Sequence, residues 1–542
     1  MNAGILILAA TTRFVIPPSA ATGHVPESPY KTWATAATNI QDAVDVAVNG
    51  DTVLVRSGAY PLTAPISFTK QIDLRSVAGE GTLDDPLDRD GTILDGGNAC
   101  QVLNIAASGT PMTIRGFTIR NGKVSGDGCK GGGVYLAGGP NRWVVLSDSI
   151  IENCRAEGNG AMGGGIHLYN IAGVTNCIIR NNFCTGLGGG VYADGNAVIN
   201  NWPEVSPRDQ LAGHTALLGN ILAGCEVYGN TADDTGYETA AAGCAVASST
   251  MRPLHFIDCR FNGNHLRTNT EGTPYGVIGK VRSVFSVEDC EISGNDLLPG
   301  SEQPRDMGIA HEYQNQLRVS DTRIVANVGG KYNLLMVGTG DATECLTSIC
   351  VTGNQSTAAA VMVSCSLRNA LIADNAAIGL CAGQTPGAKN FVFENCTITG
   401  NGSYGLEIYA LPTFVNCIFS GNGKDDKIAL DRDRTLAATN CLFATTAFET
   451  GPNTSGGTRK ITLALDDWSA ANLGVDPKFL NAAASEYGLA RKSPCRDVGC
   501  ALPWHDGALD LAGNPRVIND IVDVGCFEGL RIPAPGIILL IR

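Results

Sequence analysis

A six-residue phrase recurs along this chain: Cys, any residue, an aliphatic or Phe, two further residues, then Asn. It reads Cys177-Ile-Ile-Arg-Asn-Asn182, Cys225-Glu-Val-Tyr-Gly-Asn230, Cys259-Arg-Phe-Asn-Gly-Asn264, Cys290-Glu-Ile-Ser-Gly-Asn295, Cys396-Thr-Ile-Thr-Gly-Asn401 and Cys417-Ile-Phe-Ser-Gly-Asn422. Copies without the leading Cys end at Asn153, Asn327, Asn354 and Asn375; a looser one ends near Asn121, and a degraded one begins at Cys441. From Asn153 the asparagines fall 29, 48, 34, 31, 32, 27, 21, 26 and 21 residues apart. A tandem period of this size describes stacked units, each burying its apolar face only against its neighbours.

Every phrase is flanked by apolar–polar alternation, the period of a strand, and helical periodicity is absent between residues 100 and 445. A second phrase runs in step: Gly131-Gly-Gly-Val-Tyr135, Gly163-Gly-Gly-Ile-His167 and Gly188-Gly-Gly-Val-Tyr192. Alternation puts Val134, Ile166 and Val191 inward and Tyr135, His167 and Tyr192 outward. Short strands in tandem without intervening helices predict an all-β parallel β-helix, here of about 12 coils. The closing Asn of each phrase suits a turn that needs left-handed backbone. Parity places the repeated cysteines, Cys177, Cys225, Cys259, Cys290, Cys396, Cys417 and Cys441, inward as a ladder of small apolar groups.

Such a solenoid also answers the length, since 542 residues exceed the ~250–300 that one compact core accommodates. The net charge of −14 argues against partners held through phosphates, and no basic run offers a membrane-surface site. The longest apolar runs, Ile5 to Ala10 and Ile537 to Ile541, are far too short to cross a bilayer.

Both ends depart from the repeat. Residues 1–29, with an apolar stretch at Gly4 to Ala10, read as a leader or signal remnant. Asn39 can cap a helix through Ile40, Ala43, Val44, Ala47 and Val48, stopped by Gly50, with Thr52 to Val55 as the first strand. The β-helix with this cap then occupies 30–446, a loop-rich closing module 447–530, and a tail 531–542.

The segment Asn39 to Tyr60 resembles the opening of right-handed parallel β-helix proteins of the pectin-lyase-like superfamily. The paired repeat phrases resemble those of polymorphic outer-membrane proteins and related bacterial surface β-helices. Asp476-Pro-Lys-Phe-Leu480, Ser493-Pro-Cys-Arg-Asp-Val-Gly499, Asp510-Leu-Ala-Gly-Asn-Pro-Arg516 and Val522-Asp-Val-Gly-Cys-Phe-Glu528 follow the closing module of such secreted proteins in order. That module is expected to carry Ala where Cys495 and Cys526 stand, so a local disulfide is one expectation, with Cys500 nearby. Ile532 to Arg542 resembles a bacterial C-terminal sorting signal with a five-residue apolar run. The resemblance implies an extracellular or outer-surface location.

Hydrolases of this superfamily use clustered aspartates with a Gly-His-Gly segment. Asp84-Asp85, Asp233-Asp234, Asp425-Asp426 and Asp466-Asp467 lack such a companion, and Gly213-His-Thr is the nearest fragment. Asp pairs in glycine-rich loops form turns. A calcium-dependent uronate lyase needs convergent acids beside a base. Glu226 and Glu291 alternate along the coils with Arg180 and Arg260, which reads as a solvated face. Metal-ligand spacings are absent, so no metal or cofactor is expected, with Ca2+ entering only if the chain is a lyase. The Tyr135, His167, Tyr192 column is the candidate ligand site, a stripe of rings for stacking sugars; its continuation is expected at Ala245, Ile278 and Ala310. The expected function is non-catalytic binding of a polysaccharide or cell-surface glycan, or adhesion, with no nucleic-acid partner. The alternative is a polysaccharide lyase or glycoside hydrolase on acidic or plant or algal polysaccharide. Catalytic residues are not legible.

Overall fold

A computed structural model describes residues 10–108, 112–139, 142–195, 219–234, 243–248, 253–268, 276–281, 285–301, 306–312, 317–337, 345–383, 392–408, 412–423, 428–430, 434–444 and 461–529. The chain forms two compact units, Met1–Thr339 with Gln355–Thr357, and Gly340–Asn354 with Ala358–Arg542. Both are right-handed parallel β-helix. Strands pair in parallel with their counterparts one coil on; the one antiparallel strand pair among the described residues joins Phe479–Asn481 to Glu486–Leu489.

In the first unit each coil from Lys123–Ser125 to Asp296–Leu297 contributes to three faces. One is the ladder Val134–Ala137, Ile166–Tyr169, Val191–Asp194. The second is bent: Val144–Ser147 and Ile150–Glu152 lie either side of Asp148, and the same division recurs coil by coil. The third is short, with Arg155–Glu157 between Lys123–Ser125 and Phe183–Cys184. Apolar side chains of all three meet in the interior, where Val134, Leu136, Leu146, Ile151, Ile166 and Ile179 are fully buried. Dense packing of this kind leaves no lumen.

The asparagine phrase sits one residue away from the expected turn. Left-handed backbone is found at the residue before the closing Asn, at Asn181, Gly229, Gly263 and Gly294 in the first unit and at Gly353, Asp374, Gly400 and Gly421 in the second. The closing Asn itself is buried. Asn182 Nδ2 donates to Asn230 Oδ1 at 2.9 Å, and Asn230 to Asn264 (3.0 Å), Asn264 to Asn295 (2.9 Å) and Asn295 to Asn327 (2.8 Å) in turn. The second unit holds its own run, Asn354 to Asn375 to Asn401 to Asn422, at 2.9–3.0 Å. A carboxamide both donates and accepts, so the side chain satisfies itself one coil after another. Asn153 and Asn121 belong to the left-handed slot instead, and Cys154, whose N–H donates to Asn182 Oδ1 at 3.0 Å, holds the ladder position.

The repeated cysteines are buried, and their thiols donate to carbonyls two residues back and one coil away, as Cys177 does to Thr175 and Leu146. Every cysteine whose side chain is described is a free thiol. Cys495 packs with Ile418, Leu442 and Val524, while Cys526 packs with Leu371, Ala373 and Tyr487. The disulfide expected in this module is therefore not formed: the two thiols fill separate apolar clusters.

The ends differ from expectation too. Residues 1–9 and the tail lie outside the described residues. Thr12–Val15 is the first strand, paired in register with Thr52–Arg56, so the β-helix begins inside the segment read as a leader. The helix α1 (Ile40–Val46) is capped by Asn39, which accepts from Gln41 N–H at 2.8 Å, as its sequence predicts. At the other end Ile461–Leu465 still belongs to the coils, pairing with Arg434–Thr439. The module after it runs back along the flank of the second unit. Val498, Cys500, His505 and Leu509 in turn meet Asn440, Asn416, Asn395 and Asn369, the left-handed bend residues of successive coils.

Candidate functional site

Tyr135, His167 and Tyr192 are direct register partners on three adjacent strands of the first unit. Their ring centroids lie 5.3 Å apart at both steps. Strand alternation aims all three away from the core filled by Val134, Ile166 and Val191. Exposure is graded along the column. Ser67 and Asn104, which continue it toward the N-terminus, are exposed; Tyr135 is half-buried; His167 is 0 % and Tyr192 2 % exposed. The open face for ring stacking is thus Tyr135 with its neighbours, and His167 lies beneath the surface.

On the far side the column continues through Ala247, Gly279 and Ala310. The expected Ala245 and Ile278 are out of register by two residues and one: Tyr192 pairs with Ala247, and an irregularity between Gly243 and Val246 shifts the pairing with the next strand, which puts Gly279 opposite Ala247. Spacing in the sequence carries no trace of such a bulge.

Three side chains unmarked by the repeat complete the cluster. Tyr169 and Asp194 stand two residues beyond His167 and Tyr192 on the same face and are mutual register partners. The period of two could have found them. Lys130, just before the glycine triplet, reaches in from the preceding turn. Its Nζ lies 3.7 Å from Asp194 Oδ2 and 5.6 Å from the centre of the Tyr169 ring. His167 Nε2 is 3.6 Å from Asp194 Oδ2, beyond hydrogen-bond length. Both ring nitrogens of His167, and Asp194 Oδ1, are buried without a hydrogen-bond partner.

Burial holds the imidazole pKa below its ordinary value; Asp194 opposes that and the Lys130 charge adds to it. The imidazole is therefore neutral near pH 7. Burial, helped by the Asp194 charge and by Tyr169, pushes the Tyr135 hydroxyl up. Among the described residues no group of three or more His, Cys, Asp or Glu is arranged to hold a metal ion.

The remaining sequence candidates take structural roles. Asp85 accepts from Thr82 N–H and its hydroxyl at 2.6 and 3.0 Å, closing a turn. Asp233 pairs with Arg267 at 3.3 Å, and Asp466 caps the helix Asp467–Ala471. Asp425-Asp426 and Gly213-His-Thr lie outside the described residues. Glu226, Arg260, Glu291 and Arg323 form a register ladder of alternating charge, exposed enough to be solvated, with Arg260 67 % exposed. Arg180 is not part of it: two residues further along, it pairs with Glu152 at 2.6 Å, and Ile178 holds the position equivalent to Glu226. No described helix is long and apolar enough to cross a membrane.

No protein-family model and no curated protein matches the chain. Among solved structures it is similar to pectate lyase Pel9A, at 13% identity and a TM-score of 0.33, covering 96% of this chain and 98% of that one. It is similar also to XylC in complex with xylose, at 9% identity and a TM-score of 0.35, covering 96% and 99%. PfbA, a surface adhesin of Streptococcus pneumoniae, matches at 13% identity and a TM-score of 0.25, covering 75% and 92%. Identities and scores of this size carry nothing about chemistry.

Proposed function

We propose that this is an extracellular or cell-surface protein that binds carbohydrate, without cleaving it, on the face carrying Tyr135, His167 and Tyr192. The observation behind this reading is the graded column itself: exposed Ser67 and Asn104, half-buried Tyr135, then the buried His167 with Lys130, Tyr169 and Asp194 around it. Aromatic faces beside hydrogen-bonding tips suit sugar rings, and a preformed sheet loses little entropy on binding. Losing one stacked ring costs on the order of 1 kcal/mol, about fivefold in affinity.

Glycan-array binding followed by titration of the hits tests this. Tyr135→Ala combined with Asn104→Ala should weaken binding more than tenfold while the melting temperature stays within a few degrees. Unchanged affinity would overturn the assignment of this face.

A second reading is catalytic: a polysaccharide lyase or glycoside hydrolase. It is favoured by one feature, a carboxylate beside an imidazole that burial keeps neutral, Asp194 and His167 at 3.6 Å. Under it Ca2+ is the cofactor to test. Release of reducing ends or of unsaturated products from polysaccharide, with and without chelator, decides between the readings; any turnover abolished by His167→Gln displaces the binding one.

A further inference from the structure

We infer that His167, Asp194 and Lys130 form a proton-operated exchange: when acid protonates His167, Asp194 passes from Lys130 to the imidazolium and the lysine turns out to solvent. The exchange needs no ligand and is independent of both readings above.

Two nitrogens stand around one carboxylate oxygen. Asp194 Oδ2 lies 3.6 Å from His167 Nε2 and 3.7 Å from Lys130 Nζ. Asp194 Oδ1 and both ring nitrogens are buried without a partner. The strands beside the ring bring Tyr135 on one side and Tyr192 with Asp194 on the other, and its own strand brings Tyr169. The turn brings Lys130 and Met162, paired in parallel, and the Met162 carbonyl favours a charged ring. Asp194 and Lys130 are the charged groups that act on it.

These surroundings suit a protonated ring better than a neutral one. A neutral imidazole carries one donor and one acceptor, an imidazolium two donors. His505 shows how this fold holds a ring neutral. There Leu502 N–H donates to Nδ1 at 3.1 Å, and Nε2–H donates to Asn395 Oδ1 at 2.8 Å. Around His167 the groups that favour the charged ring, Asp194 and the Met162 carbonyl, are both acceptors, and no N–H is bonded to either ring nitrogen. A second proton converts the ring's unmatched lone pair into a donor.

Solvent decides which cation keeps the carboxylate. The Lys130 side chain is 38 % exposed, so its ammonium hydrates when released; the His167 side chain is 0 % exposed. An unpaired buried charge costs far more than an ammonium returned to water. Burial holds the imidazole below its ordinary value of 6.5, so the exchange is off at pH 7 and sets in as pH falls beneath that value. The unfolded chain binds this proton more readily, so the exchange costs stability in acid, and Asp194 limits the cost.

Nuclear magnetic resonance of the full chain, with carbon-13 at histidine Cε1 and on dimethylated lysines, tests this between pH 7.5 and 4.5. His167→Gln and Lys130→Arg assign the two signals. Both signals should move together with one midpoint below 6.5, and His167→Gln should freeze the Lys130 signal. Lys130→Met alters a partly exposed side chain and should raise the His167 midpoint by about one pH unit, since an opposing charge is gone. Asp194→Asn, checked by thermal melting to be folded, should uncouple the two signals. A His167 signal that stays neutral down to pH 4.5 or until the chain unfolds, as with a water bridging ring and carboxylate, would overturn the exchange. So would a Lys130 signal that still moves in His167→Gln, or a His167 midpoint that Lys130→Met leaves in place.

Discussion

The two units place the same bend of the repeat to opposite uses. In the first unit the left-handed bend position is held by Asp148, Asn176, Gly224, Asp258, Asp289 and Asp321; in the second by Ser348, Asn369, Asn395, Asn416 and Asn440. Gly224, Asp258, Asp289 and Asp321 of the first row line an open groove of about 410 Å³ shared with Glu226, Arg260, Glu291 and Arg323. From Asn369 to Asn440 the second row is covered by the chain's own C-terminal module. Asn416 Nδ2 donates to Cys500 O at 2.8 Å while its Oδ1 accepts from Cys500 N–H at 2.9 Å. Asn395 donates to the carbonyls of Asp523 and Gly525 and accepts from His505 Nε2 at 2.8 Å. Left-handed backbone admits Asp and Asn alike. The difference is that a carboxamide pairs with both halves of a peptide group, whereas a carboxylate only accepts and stays charged. One can be buried under a strap; the other has to remain in water.

Exchanging the two residue types should therefore be strongly asymmetric. Asn416→Asp buries an anion against the Cys500 carbonyl and should cost about 3 kcal/mol, seen as a lowered denaturation midpoint by tryptophan fluorescence, with Trp468 and Trp504 in the module as reporters. A cost equal to that of Asp289→Asn would break the comparison. Within the interior ladder the two units should behave alike: Asn264→Ala and Asn401→Ala each orphan buried partners and should cost about 2 kcal/mol.

Acid should weaken the seat of the C-terminal module at His505. His505 is neutral in the fold, with Nδ1 accepting from Leu502 N–H at 3.1 Å and Nε2–H donating to Asn395. Burial, with the Arg516 and Arg368 charges, pulls its pKa down from 6.5 to about 4. The unfolded chain then binds the proton more readily between these values, so the stabilisation is complete above pH 6.5 and is lost as pH falls toward 4. Thermal melts at pH 7 and 5 should show a drop that His505→Gln flattens. Thiol reactivity is a finer probe. Half-buried Cys100, Cys129, Cys350 and Cys500 should label before Cys225, Cys259 and Cys290, and rapid native labelling of the latter three would contradict their inward packing. The smallest effect belongs to Asp289→Asn in the open groove, within about 0.5 kcal/mol.

What the sequence disclosed follows from what is periodic. The coil, the inward thiols and the Tyr135 column repeat, and their register could be read. The asparagine ladder was legible as a column but displaced by one residue, because Asn suits the left-handed slot and the buried slot equally, and only the Gly before it distinguishes them. The strap was not legible. Asn369 meets Leu509 and Asn416 meets Cys500 across 140 and 84 residues with no shared period. Of the candidate site, Tyr169 and Asp194 were missed although alternation places them on the same face, whereas the burial of His167 and the reach of Lys130 depend on neighbouring turns that the repeat does not encode.

The amide ladder also acts as a ruler that is indifferent to the length of chain between its marks. Asn182 and Asn230 are 48 residues apart and Asn401 and Asn422 are 21 apart, yet both pairs meet at 2.9 Å. Since lengthening a connection costs only about 0.6 kcal/mol per doubling, a lineage can enlarge, trim or replace what lies between two marks while the frame keeps its pitch. Variation in such a molecule is expected to accumulate as insertions within coils, each able to alter the surface beside Tyr135 without renegotiating the core.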